Sequence, residues 1–326
     1  MKKLVLMLSI LLLFTGCNKS EKQTISYDND YYQVATPYKE TTNNYSLNSF
    51  NKEEVESMLM YLSTNYFSLN NSLYQEGQYL STNTVKDLVN KYNDTDKLLN
   101  DNMTKPTYIS AIYEQDYLAN NSNLKGISLA IILNTNQSYI QDNKTYNQVL
   151  DESEVLDFGK IQASKLLSYL RSIEELKNIK IVIGLYVNSN NYLKGSFKYI
   201  GSTSNNKIDL DYVNYNYRLL DSSSNMQNDI NNYNNAIALK NVLNNYNVYI
   251  KMQGLYKDND LLKLDIAINS NYLKQAEILN MANIITDNLN SFSTVVTIKV
   301  YFISNSVTKA LLIKENDEAK IYMMEE

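Results

Sequence analysis

The spacing of apolar and polar positions changes along this chain and divides it into segments. Residues 4–14 are an apolar run interrupted only by Ser9, with Lys2 and Lys3 before it and small residues leading to Cys17 after it, which is the layout of a secretory signal. The run is about half of the roughly 20 apolar residues that a membrane-spanning helix needs. It suits insertion during export better than permanent spanning. Residues 18–30 show no apolar period and are predicted to be a flexible tether reaching roughly 40 Å at most. The ordered part opens at residue 31, where Pro37 predicts an extended edge element and not a helix.

Helical and strand periods then alternate. Asn51 as N-cap, an acidic first turn, and Val55, Met58, Leu59 and Leu62 at i, i+3, i+4 and i+7 predict a helix to about Tyr66. A second helix starts near Thr84 and buries Val85, Leu88, Val89 and Tyr92. Residues 106–118 read as extended, 120–123 as a turn, and 126–133 (GISLAIIL) as a strand buried on both faces, together a hairpin. Residues 152–173 form a strong helical pattern, with Val155, Phe158, Ile161, Ala163, Leu166, Leu167, Leu170 and Ile173 inward, and 179–187 another buried strand. The Asn-, Ser- and Tyr-rich stretch 188–247 is predicted to be irregular, except for a short strand at 197–200 and a helix at 230–243. Strands at 248–255 and 261–268 follow. A helix at 274–289 comes next, with Ala276, Leu279, Ala282, Ile285 and Leu289 inward, then strands at 294–303 and 309–314.

The predicted fold class is therefore α+β: mixed, mainly antiparallel sheets with helices packed on them. Two subdomains, 31–150 and 151–326, are expected behind a tether at 18–30 and a leader at 1–17. Each half contains strand, helix, strand, the outline of a divergent internal repeat, with no residue-level match between the halves.

Composition narrows the chemistry. The chain has 326 residues, no histidine and one cysteine. Ser-His-Asp and Cys-His catalysis and histidine-ligated zinc are thereby excluded. The net charge of −5, more negative still once Lys2 and Lys3 leave with the leader, disfavours nucleic acid as a partner. Carboxylate chemistry survives. Paired acids cleaving wall glycans would need two carboxyls roughly 5 to 9 Å apart in a groove lined by tyrosines.

Phe14, Thr15, Gly16 and Cys17 fit a lipobox, in which the cysteine thiol takes a diacylglyceryl group and becomes the new, N-acylated N-terminus. Cys17 has no disulfide partner in the chain. The expected partners are then the membrane, a diacylglyceryl transferase and a lipoprotein signal peptidase, and the expected place is the outer face of the cell membrane. No metal or dissociable cofactor is expected. In 74–80 (YQEGQYL), Gly77 reads as a turn needing positive φ. Alternatively Gln75, Glu76 and Gly77, with Glu114 and Gln115, form a ligand or partner contact.

The lipobox, YYQVATPYK, LMYLSTNYF, YQEGQYL, PTYISAIYEQDYL, GISLAIILN, GSFKYIG, GLYKDNDLLKLDI and KALLI resemble, in the same order, the CamS family of sex-pheromone lipoprotein precursors of low-GC Gram-positive bacteria. The resemblance runs nearly end to end. It implies two products, a non-catalytic membrane lipoprotein and a short apolar peptide cut from the leader, which in known members signals for plasmid conjugation. The equivalent peptide begins at Ile10 and covers residues 10–16 (ILLLFTG). The resemblance assigns no activity to the mature part, for which solute or glycan binding without a signalling role is the alternative reading.

Overall fold

A computed structural model describes residues 32–35, 45–99, 104–141, 143–188, 195–220, 230–293, 296–316 and 318–324. The leader, the lipobox, the tether and Pro37 lie outside the described residues. Strand β1 (Gln33–Val34) pairs in parallel with β2 (Leu73–Glu76) at one edge of the sheet, as the proline implied. Between them, helix α1 (Lys52–Ser63) begins where the Asn51 side chain accepts the Glu54 N–H, and it buries Val55, Met58, Leu59 and Leu62. Helix α2 (Thr82–Asn93), capped by Ser81, buries the four expected residues. Strands β3 (Ile109–Leu118) and β4 (Leu124–Asn134) form the expected hairpin, and β4 is buried on both faces.

A hairpin of β5 (Asn136–Gln141) and β6 (Lys144–Val149) leads into helix α3 (Glu152–Leu170). Strands β7 (Lys180–Asn188), β8 (Ser196–Thr203) and β9 (Asp211–Leu219) complete the first half. The second half is helix α4 (Ile230–Val242), strands β10 (Tyr249–Lys257) and β11 (Asp260–Ser270), helix α5 (Gln275–Leu289), and strands β12 (Thr297–Ser304), β13 (Val307–Glu315) and β14 (Glu318–Met323).

Among the described residues twelve strands make one sheet, ordered β1-β2-β3-β4-β7-β8-β9-β10-β11-β12-β13-β14. Most ladders are antiparallel. The exceptions besides β1/β2 are β4/β7 and β11/β12, and parallel neighbours need a crossover connection. Helix α3 supplies the first crossover and α5 the second. Strands on either side of residue 150 are therefore neighbours, and β9 pairs with β10 to make the two halves continuous.

The two halves repeat one topology. Helix α2, the β3/β4 hairpin, α3 and β7-β8-β9 correspond in order, pairing and direction to α4, the β10/β11 hairpin, α5 and β12-β13-β14. In each half both helices lie on one face over an apolar core. The first core joins Val85, Val89, Leu166 and Leu170 to Ile127, Leu129 and Ile183, and the second joins Leu239, Ile285 and Leu289 to Ile266, Ile298 and Val300. A third core, under α1 on the opposite face, holds Leu59, Phe67, Tyr117, Tyr186 and Phe197.

Three helix-face assignments need correction. Ile161 is 57% exposed and Leu279 41% exposed, and Ala276 is exposed as well. The inward positions of α5 are instead Ile278, Met281, Ala282, Ile285 and Leu289. The core stripe is one residue out of phase with the expected one at the helix start.

Candidate functional site

The two motifs that carry Gln75, Glu76, Gly77, Glu114 and Gln115 meet in space. Strand β2 pairs with the C-terminal part of β3, so Gln75 sits opposite Asp116, and Glu76 opposite Gln115. Side chains alternate along a strand, which sends these residues to two different environments.

On the helix α2 side, Glu114 and Asp116 are 2% and 0% exposed. Glu114 accepts the backbone N–H groups of Tyr79 at 3.1 Å and Leu80 at 2.7 Å, and Asp116 accepts that of Gln78 at 3.1 Å. The two carboxyls thus hold the backbone that enters α2 just before its cap at Ser81. Gly77 does not have positive φ, contrary to the expected turn. A Cβ there would meet the Glu114 side chain at 2.6 to 2.8 Å. Glycine is needed for close approach.

Burial pushes the Glu114 carboxyl above its ordinary value. Asp116 is pushed well up, first by burial and then by the charge of Glu114. Two carboxyls this close in an apolar setting favour one shared proton over two charges.

On the helix α1 side the polar groups belong to tyrosines and their partners. Tyr74 donates to Glu56 Oε1 at 2.9 Å, Gln115 Nε2 donates to the Glu56 carbonyl at 3.0 Å, and Tyr117 donates to Gln115 Oε1 at 3.0 Å. Lys52 Nζ lies 3.9 Å from Glu76 and 5.5 Å from the Tyr113 ring. The Glu56 carboxyl is raised by burial, against the hydrogen bond from Tyr74. Farther along the helix, Tyr186 donates to Glu54 at 2.8 Å and accepts from the Gly195 N–H at 2.9 Å. Tyr117 stacks on Phe67 with ring centroids 4.3 Å apart. Tyr74, Tyr117 and Tyr186 are core residues whose hydroxyls find partners, the usual fate of buried tyrosine, whereas the buried Tyr113 hydroxyl has none among the described residues.

The arrangement is structural in its chemistry. Glu76 and Glu114 leave the sheet from opposite faces, so they cannot flank one bond. Among the described residues no group of acids, cysteines or histidines could hold a metal ion. Asp116, Glu56 and Tyr74 matter as much as the expected residues. The Glu-x-Asp spacing of positions 114 and 116, which puts both acids on one face of a strand, was the readable signal for the first of them.

A family model described as "CamS sex pheromone cAM373 precursor" matches residues 35–320. The solved structure of the C-terminal domain of the sex pheromone staph-cAM373 precursor from Staphylococcus aureus is 25% identical, with a TM-score of 0.73. That match covers 86% of this chain and 98% of the other. A sex pheromone precursor from Lactobacillus salivarius is 22% identical, with a TM-score of 0.76, over 85% of this chain and 88% of its own, and shares the fold. Among curated proteins there is no match.

Proposed function

This chain belongs to the CamS family, and from that premise we propose that it is a non-catalytic lipoprotein of the outer membrane face whose leader yields a pheromone-like peptide. The observation that carries this reading is the lone cysteine at the end of a short apolar leader, in a chain whose folded part is that of a pheromone precursor. In the proposed processing Cys17 Sγ attacks the diacylglyceryl carbon of a membrane phosphoglyceride, forming a thioether as that carbon's bond to the phosphate oxygen breaks, and the phosphate headgroup leaves with the thiol proton. Hydrolysis of the bond between Gly16 and Cys17 then frees the leader and leaves an α-amine for acylation. A second hydrolysis, between Ser9 and Ile10 of the freed leader, then gives the peptide of residues 10–16. Among the described residues no helix is long and apolar enough to cross a membrane, so a covalent lipid would supply the attachment.

Non-catalytic status is supported by the absence of histidine and by the way Glu114, Asp116 and Glu56 are consumed in holding backbone and tyrosines. Mass spectrometry of the native N-terminus tests the reading. A chain starting at Cys17 with diacylglycerol attached is expected, together with ILLLFTG in the medium of cells carrying the gene and not of cells lacking it. Retention of Met1, or an unmodified Cys17, contradicts it.

A further inference from the structure

The repeat places two grooves at matching positions, each where the first strand of a parallel pair ends and its crossover begins. Ligands of sheets with parallel strands characteristically bind at carboxyl ends of strands. In the first half the groove lies under the β5/β6 hairpin, and several of its polar groups are already engaged. Gln137 accepts the Thr107 N–H at 2.7 Å and donates to the Lys105 carbonyl at 3.0 Å, and Ser138 donates to Asn147 at 2.6 Å.

In the second half the crossover from β11 to α5 is only four residues long, and a groove of about 710 Å³ stays open beside it, within the range of small-ligand sites. Asn245, Asn247, Asn269 and Asn271 line it, and no hydrogen bond from any of these four amides occurs among the described residues. Tyr249 and Tyr272, 66% and 68% exposed, stand on its rim and are the two most exposed tyrosines among the described residues. Tyr249 is the ladder partner of Asn269. Tyr272 is fixed by Ser270, which accepts its N–H at 3.3 Å and donates to its carbonyl at 3.1 Å. Glu277 is the one charged residue of the lining, and it already accepts the Lys274 N–H at 2.9 Å.

We propose that this groove binds a neutral oligosaccharide. Flat rings on a rim stack against pyranose faces, and unengaged carboxamides both donate to and accept from hydroxyls. Lys274 Nζ lies 6.0 Å from the Tyr272 ring but is not among the lining residues, whereas Glu277 is, so the lining does not favour an anionic ligand. The site is independent of lipidation and of peptide release, so the N-terminal mass measurement can fail without touching it.

Calorimetry on the full-length chain in a detergent without sugar headgroups, with cellotetraose and the tetramer of N-acetylglucosamine as probes, tests it. Saturable binding of at least one tetrasaccharide with Kd below about 1 mM is expected. Tyr249→Ala and Tyr272→Ala should each weaken it about tenfold, Tyr272→Phe should retain it, and Tyr146→Ala in the first half should leave it unchanged. Both rim tyrosines are mostly exposed, so unfolding temperatures should not move. No saturation by either probe up to about 10 mM, or binding indifferent to both rim alanines, overturns the proposal.

Discussion

The first half of the sheet has apolar packing on both faces, under α1 on one side and under α2 and α3 on the other, whereas the corresponding strands β11 to β14 have one. The opposite face of those strands interleaves Lys263, Asp265, Lys299 and Lys320 with Tyr301, Leu311, Ile313 and Tyr322. One topology has been used twice and finished differently. In the first copy polar side chains are turned inward and spent on structure: Glu114 and Asp116 on the entry to α2, Glu56 on Tyr74, Glu54 on Tyr186. In the second copy the amides of a matching groove are left unengaged. The contrast teaches that shared family motifs such as YQEGQYL mark a buried joint, while a surface for recognition is to be sought where the motifs are absent.

The contrast can be attacked first at the joint. Glu114→Ala leaves the N–H groups of Tyr79 and Leu80 buried without acceptors, and an unsatisfied buried donor costs about 1 to 3 kcal/mol. A loss of about 3 to 5 kcal/mol is expected in denaturant unfolding, against little change for Tyr272→Ala. Truncations in matched cores come next. Leu166→Ala under α3 and Ile285→Ala under α5 should each cost about 3 kcal/mol. Because β9 and β10 continue one sheet, each should lower a single calorimetric transition; two separating transitions would show that the copies melt independently. Gly77→Ala forces a Cβ into Glu114 and should cost about 2 kcal/mol.

The smallest effect concerns pH. The folded pair of Glu114 and Asp116 holds a proton that the unfolded chain has released above about pH 4, so stability should fall as the pH rises from there through the raised folded values. Asp116→Asn still accepts from Gln78 and donates to Glu114 without needing that proton. Its unfolding temperature between pH 5 and 8 should fall less steeply than that of the parent chain.

Much of the architecture was legible from periodicity alone, because capped amphipathic helices such as α1 and α2 and doubly buried strands such as β4 and β7 leave strong patterns. What escaped did so for physical reasons. Strands β5 and β6 are mostly exposed and carry little apolar alternation. Strand β9 does alternate, with Val213, Tyr215 and Tyr217 toward the core under α1, but its asparagines disguised it as irregular chain. Strand β14, with its exposed Glu318 and partly exposed neighbours, was missed for the same reason. The expected phase of α5 followed its alanines, whereas Ile278 and Met281 fill the core. The repeat was visible only as strand, helix, strand, since backbone direction and pairing define it and residue identities do not.

At the candidate site the sequence singled out two motifs that the pairing of β2 with β3 brings together. It could not show that Glu76 and Glu114 part to opposite faces, because that depends on the register of β2 against β3. Nor could it show that Gly77 answers to a neighbouring side chain and not to its own φ.

Native-state hydrogen exchange tests the division between a sealed first half and an open second half most directly. The amides of Gln78, Tyr79 and Leu80, held by buried carboxyls, should exchange as slowly as those of β3 and β4, while Asn247 and Asn271 in the second-half groove exchange at rates near those of unstructured chain. Fast exchange at residues 78–80, or protection at 247 and 271 equal to theirs, would contradict the account.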